Sequence, residues 1–106
     1  MTEPTAIVVW ITAPPDIAPK LARAIVEARL GACVTTMPIR STYRWKGDIH
    51  EDEEVQLVVK TTRDRFSALE AFVRANHTCD VPELLALPVV EAGAAYLDWL
   101  RAETAP

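Results

Sequence analysis

The stretch CVTTMPIRSTYRWKGDIHEDEEVQLVVKT, from Cys33 to Thr61, decides the fold of this chain. It contains two long extended segments, Cys33–Lys46 and Ile49–Thr61, which are rich in β-branched and aromatic residues. The turn signal Lys46-Gly47-Asp48 lies between them. The stretch therefore predicts one long antiparallel β-hairpin, around which the remaining elements are arranged.

The apolar pattern of the two segments predicts how the hairpin strands pair. If Trp45 lies opposite Ile49, apolar residues of the two strands face one another. These apolar pairs are Ile39 with Val55 and Met37 with Leu57. The same register places Arg40 opposite Glu54 on the other face, where an exposed ion pair is expected to stabilise by no more than about 1 kcal/mol. A shift by one residue would break the apolar match, so this register is the prediction.

The segments on either side of the hairpin alternate between strand and helix patterns. Asp16 is placed as the N-cap of the first helix and Gly31 as its C-terminal stop. The predicted flanking elements are the strand Thr5–Ala13, the helix from Asp16 to Gly31, the helix Thr62–Asn76, the strand Glu83–Val90 and the short helix Ala94–Glu103. With right-handed crossovers, this order gives an α/β (α+β) fold of the ferredoxin-like, split βαβ type. Residues 1–106 are expected to form a single domain.

Composition excludes several functional classes. The net charge of -4 and the scattered Lys and Arg residues argue against nucleic-acid binding. Met1–Pro4 has no basic leader, and the apolar run Ala6–Ala13 is too short to span a membrane, so we expect a cytoplasmic protein without membrane contact. Nucleophile elbows, P-loops, dinucleotide-binding motifs and zinc-protease motifs are all missing, so we do not expect an enzyme.

Two segments carry side chains that could bind a metal. Glu51–Glu54 is a run of four carboxylates, and its preferred interpretation is a solvated strand end because successive side chains point to opposite faces. The segment His77–Glu83 holds an imidazole, the Cys79 thiol and two carboxylates. Imidazole and thiolate suit copper or zinc. Taken alone, the pattern H-x-C is weak and is also compatible with an ordinary loop.

Several segments together resemble the CutA divalent-cation-tolerance family. In chain order they are ARAIVEARLGACV, STYRWKGDIHEDEEV, KTTRDRF, VPELLALPV and YLDWL, and with TAP before the first helix they extend from about Val8 to Leu100. The resemblance implies a ferredoxin-like subunit in a homotrimer similar to the PII signalling proteins. It also implies a role in tolerance of copper and other divalent metals, with Cys33, His77 and Glu83 as candidate ligands.

The chain departs from the family pattern in the loop that contains His77. The family loop usually has an aromatic residue before Glu-Val-Pro-Glu, whereas this chain has Thr78-Cys79-Asp80. The expected ligand set is therefore His77 and Cys79, with Glu83 or Cys33 as a third ligand, and the expected ion is copper or another divalent cation such as zinc. Two functions remain open: metal tolerance, and a PII-like trimer that binds a small ligand or a partner protein between its subunits.

Overall fold

The structure, a computed structural model, describes residues 5–106 and has the predicted order of elements. The strands are β1 (Ala6–Ala13), β2 (Cys33–Trp45), β3 (Asp48–Thr62) and β4 (Leu84–Pro88). The helices are α1 (Ala18–Glu27), α2 (Phe66–Asn76) and α3 (Ala94–Thr104), with a 3-10 turn at Arg63–Arg65 before α2. The segment Met1–Pro4, on which the expectation of no basic leader rests, lies outside the described residues.

The four strands form one antiparallel sheet in the order β2-β3-β1-β4. β1 is therefore central, with β3 on one side and β4 on the other, and β2 and β4 form the edges. β4 contains Pro88, and an edge strand tolerates a residue that lacks an N–H donor. This arrangement confirms the ferredoxin-like α/β fold predicted from the element order.

One face of the sheet carries the hydrophobic core. The odd-numbered residues of β1, and those of β3 from Leu57 to Thr61, are buried there, for example Val9, Ile11, Leu57 and Val59 at 0% exposure. α1 and α2 cover this face with side chains at helical spacing. Those buried helical residues are Ala18, Leu21, Ile25, Leu69 and Val73. α3 packs at the end of the sheet, where Leu100 contacts Ala6 and Ala32.

The opposite face of the sheet is apolar as well, but α1 and α2 do not cover it. We call this the open face and define it by residues that neighbour one another in the strand pairing: Val8, Trp10, Met37, Val58, Leu85 and Leu87. Trp10 is 42% exposed, Met37 48% and Leu85 56%. Such a continuous exposed apolar patch is uncommon on a protein that works alone, and it indicates an interaction surface.

The register predicted for the hairpin is wrong by one residue. Trp45 pairs with Asp48, not Ile49, because Lys46 and Gly47 form a two-residue turn with φ of 50° and 87°. Positive φ at both central residues is the type I′ turn, whose twist matches that of the flanking strands. The predicted register followed from the apolar match between the strands, which placed Lys46, Gly47 and Asp48 in the turn.

The corrected register changes which side chains share a face. Ile39 lies opposite Glu54 and Arg40 opposite Glu53, so the predicted Arg40–Glu54 pair does not form. The Arg40 guanidinium lies 3.7 Å from the Glu51 carboxylate instead. The odd-numbered residues of β2 thus lie on the same side of the sheet as the open face, while the odd-numbered residues of β3 from Val55 to Thr61 lie on the core side.

The ends of α1 also differ from the prediction. Its N-cap is Ile17 with no side-chain cap, so Asp16 does not cap the helix, although a proline does lie in the first turn. The left-handed residue that ends α1 is Arg29, with φ of 60°, and not Gly31. Gly31 is required for another reason: a Cβ there would lie 2.6 Å from Cγ1 of Val59. The glycine therefore allows the chain to pass close to β3.

Within residues 5–106, the helices are all too short or too polar to cross a lipid bilayer.

Candidate functional site

The loop between α2 and β4 is fixed to the sheet by His77. Its Nε2 lies 2.8 Å from the carbonyl oxygen of Thr12, and its Nδ1 accepts a hydrogen bond of 3.0 Å from the backbone N–H of Cys79. A carbonyl only accepts, so Nε2 carries the proton and the ring is the neutral Nε2–H tautomer. Both ring nitrogens are therefore engaged, and the imidazole holds the loop against the end of β1.

Glu83, at the C-terminal end of the loop, lies near the same end of β1 as His77 and contacts Gln56 of β3. Gln56 pairs with Thr12 across the strands, and its amide donates to the Ile11 carbonyl at 3.2 Å and to the Glu83 carboxylate at 3.4 Å. The long second distance makes the contact with Glu83 weak. Three of the predicted ligands, His77, Cys79 and Glu83, thus lie around one end of β1.

These three residues line a cavity of about 640 Å³ between the loop and the hairpin. On the hairpin side the cavity is lined by Tyr43, Trp45 and Glu54. The two-residue turn is the reason, because it places the odd-numbered residues of β2 on the same face as the even-numbered residues of β3. The sequence-based register would have put Glu54 on the opposite face.

Cys33 lies far from this cavity within one chain. It pairs with Lys60, whose ammonium donates to the Thr35 hydroxyl at 2.8 Å and lies 3.9 Å from the Cys33 sulfur. Lys60 is four residues from Gln56 along β3, a separation of about 13 Å at the usual rise of a strand. Cys33 therefore does not join His77 in a site formed by a single subunit.

Among residues 5–106, no group of three or more His, Cys, Asp and Glu side chains converges closely enough to hold a metal ion. The predicted ligands His77, Cys79 and Glu83 share a cavity but are not arranged as a preformed coordination shell. To ligate a metal through Nδ1, His77 would have to give up its hydrogen bond with the Cys79 N–H.

A second group of interacting residues lies on the hairpin arm, and the sequence analysis missed it. The Tyr43 hydroxyl donates to the Asp52 carboxylate, and the Tyr43 ring stacks on His50 with centroids 5.4 Å apart. The hydrogen bond to Asp52 is the main cause that raises the pKa of Tyr43 to about 12. The alternation of His50, Asp52 and Glu54 along β3 is the signal that could have revealed this group, provided that the turn had been assigned two residues.

The other tyrosine lies beside the second cavity, of about 310 Å³, which is also lined by Lys60. Burial raises the pKa of Tyr96, and the nearby Cys33 adds to the effect. Tyr96 and Cys33 therefore define a separate region, at the end of the sheet opposite His77.

The sequence and fold of this chain match known proteins over nearly the whole of this chain. The family model described as CutA1 divalent ion tolerance protein matches residues 7–103. The divalent-cation tolerance protein CutA of Thermus thermophilus is 48% identical over 99 residues, which cover 92% of this chain and 96% of that protein. Protein CutA of Homo sapiens is 45% identical over 97 residues, and the match spans 54% of that longer protein.

A solved structure agrees with these matches. The divalent cation tolerance protein Cut A1 from Thermus thermophilus has a TM-score of 0.91 and 47% sequence identity, covering 94% of this chain and 99% of that one. Identity at this level over this coverage establishes the family and the fold together. The chain belongs to the CutA1 divalent ion tolerance family.

Proposed function

We propose that this protein acts in divalent-cation tolerance by binding a soft or borderline ion, copper or zinc, in the cavity beside His77. The observation that carries the proposal is that His77, Cys79 and Glu83 line one cavity. Imidazole and thiolate together prefer these ions over calcium or magnesium. The names of the relatives, which are tolerance proteins for divalent cations, support the same function.

The hydrogen bonds of His77 define what binding would require. A metal at Nδ1 would replace the N–H of Cys79, while the bond from Nε2 to the Thr12 carbonyl would continue to orient the ring. An outer hydrogen bond of this kind commonly fixes a metal-binding histidine. Protons compete with the metal for Nδ1 and for the thiol, so affinity is expected to fall as the pH falls.

The ligand set would be completed by a second subunit. We propose a cytoplasmic homotrimer in which the open face forms the contact between copies. The exposure of Trp10, Met37 and Leu85 supports association, because burying such side chains is favourable by about 25 cal/mol per Å². In such an assembly Cys33 of one copy could approach the cavity of another. Light scattering that gives the mass of a single chain at micromolar concentration would contradict the trimer.

Calorimetry under reducing conditions tests the metal proposal. Zn(II), and Cu(I) held by a competing chelator, would be titrated into the parent protein and into His77→Ala, Cys79→Ser and Glu83→Gln. We expect the first two variants to weaken binding by roughly tenfold or more, since each removes a ligand atom. His50→Ala is the matched control, because His50 is the chain's other imidazole and does not line the cavity.

The result that contradicts the proposal is equally specific. If His77→Ala and Cys79→Ser both bind copper as tightly as the parent protein while keeping its oligomeric state, the metal site is elsewhere. If Cys33→Ser lowers affinity in the assembled protein, the ligand from a second subunit gains direct support.

A second candidate function is binding of a small ligand or partner at subunit clefts, as in a PII-like sensor. The volume of the cavity favours it, because ligand pockets of about 300–1,000 Å³ are typical. A thermal-shift screen of small molecules tests this function, since a ligand that binds only the folded state raises its melting temperature.

A further inference from the structure

The hairpin side of the cavity has a chemistry of its own. Tyr43 and Trp45 contribute aromatic rings, and Glu54 contributes a carboxylate. Their positions follow from the strand pairing, in which alternate residues of β2 share a face with Glu54. None of these three side chains belongs to the His77, Cys79 and Glu83 set, so this wall is separate from the proposed metal ligands.

The charged residues that line the cavity indicate whether it would bind a positively or a negatively charged ligand. Its charged lining residues are Glu54, Asp80 and Glu83, and no Lys or Arg of the described part of the chain lines it. Glu54 is half-buried and makes no hydrogen bond or ion pair with any residue between 5 and 106, whereas Asp52 accepts from Tyr43 and Glu83 from Gln56. A partly desolvated carboxylate without a partner favours a cation beside it. Nucleotides and phosphates carry the wrong charge.

The aromatic residues indicate what kind of cation fits. The faces of Trp and Tyr rings attract organic cations, and the Lys46 ammonium already lies 5.7 Å from the centre of the Trp45 ring. A volume of about 640 Å³ is far larger than one metal ion needs, and the carboxylates do not converge on a point. A molecule with a carbon body and a charged nitrogen matches these dimensions better than a bare ion.

We propose that this cavity binds a small organic ammonium ion, with its nitrogen beside Glu54 and its carbon body against Tyr43 and Trp45. The site shares the cavity of the proposed metal function but uses different side chains. An amine that is protonated at neutral pH donates hydrogen bonds to the carboxylate, and such charge-assisted bonds are stronger than neutral ones.

A pair of matched probes tests the proposal. 2-Phenylethylamine is a protonated amine with an aromatic body, and 2-phenylethanol is its uncharged counterpart. Each would be titrated calorimetrically into the assembled protein at fixed ionic strength. We expect saturable binding of the amine with a Kd of about 1 mM or tighter, and binding of the alcohol at least about tenfold weaker.

Two neighbouring variants provide the control. Glu54→Gln and Glu53→Gln remove the same charge from adjacent residues, but only Glu54 lines the cavity. We expect Glu54→Gln to weaken binding of the amine about tenfold and Glu53→Gln to change it less than about twofold. Trp45→Leu should also weaken the amine by several-fold. The oligomeric state of each variant is checked by light scattering.

Three outcomes would overturn the proposal. These are absence of saturable amine binding, equal affinity for amine and alcohol, and equal losses in Glu54→Gln and Glu53→Gln. The last would mean that only the overall negative charge attracts the amine. The metal proposal is judged separately, because Cys79→Ser should leave amine binding intact and Glu54→Gln should leave copper binding intact. Loss of copper binding alone would therefore not affect the ammonium site.

Discussion

The two faces of the sheet differ sharply, although the same strands form both. Ile11 on the core face is 0% exposed, and its neighbour Trp10 on the open face is 42% exposed. Both faces are apolar, but α1 and α2 cover only one of them. Hydrophobic residues in a central strand therefore do not all serve the folding of their own chain. One set stabilises the subunit, and the other is available for association.

Truncating Ile11 and Trp10 in separate variants tests the difference between the two faces most directly. Ile11→Ala leaves a cavity in the core and should lower the free energy of unfolding by about 2–5 kcal/mol at any protein concentration. Trp10→Ala should instead weaken association, so its effect should depend on protein concentration. Chemical denaturation at two well-separated concentrations measures both. A loss in Trp10→Ala that does not change with concentration would show that the open face is not an interface.

Gly31→Ala tests how closely the chain packs on the core face. The added Cβ would lie 2.6 Å from Cγ1 of Val59 and 3.1 Å from Cγ2 of Ile25, and both side chains are fully buried. We expect a loss of about 1–3 kcal/mol from overpacking, measured by denaturant titration. Gly93→Ala is the control, since nothing lies within 4 Å of its Cβ position, and its effect should stay within about 0.5 kcal/mol. Equal effects in both variants would contradict the close approach.

The contact between Tyr43 and Asp52, on the far half of the hairpin, can be tested through the titration of Tyr43. Its hydrogen bond to Asp52 raises the pKa of Tyr43 to about 12, so the folded state holds the phenol proton more tightly than the unfolded state. The stabilisation is therefore complete below about pH 10, the ordinary value, and is lost as the pH rises through 12. Phenolate absorbance in a Tyr96→Phe background isolates this group.

Replacing Asp52 is the matching control for that titration. Asp52→Asn removes the charged acceptor that holds the Tyr43 phenol proton, so the pKa of Tyr43 should move down toward 10. A Tyr43 that titrates near 10 in the parent protein would refute the contact with Asp52.

The smallest effect concerns the ion pair on the hairpin arm. Arg40 lies 3.7 Å from Glu51, but the two side chains are 65% and 58% exposed, so solvent screens the pair. A double-mutant cycle with Arg40→Ala and Glu51→Ala should give a coupling of no more than about 1 kcal/mol. The same cycle with Glu54 should give none. Coupling to Glu54 in place of Glu51 would restore the register predicted from the sequence.

Much of the fold was predictable because its signals are local. The order of strands and helices follows from periodicity and breakers, and the family follows from segments such as STYRWKGDIHEDEEV. The hairpin register was not predictable in the same way, because it depends on Lys46 adopting a backbone conformation that is uncommon outside glycine. Because the turn is one residue shorter than predicted, every residue of β2 lies opposite a different residue of β3, and each β2 side chain shares a face with the other set of β3 side chains.

The candidate site was predictable only in part. His77, Cys79 and Glu83 lie close in sequence, and the structure keeps them around one cavity. The contribution of the hairpin depended on the register, so Glu54 was assigned to the wrong face. The engagement of both His77 nitrogens could not be predicted, because the partner Thr12 is distant in the chain and contributes only its carbonyl oxygen.

The two-residue turn at Lys46-Gly47 also bears on the order of folding events. From this turn, β2 and β3 can pair residue by residue without closing a further loop. Ala13 and Val55, which pair at the end of β1, are separated along the chain by α1 and the whole of β2. Pairing β1 with β3 therefore closes a longer loop, which has a larger entropic cost. We expect the hairpin to form in the folding nucleus and β1 to insert later. Substitution of Gly47 should then slow folding, while changes in the edge strand β4 should mainly speed unfolding.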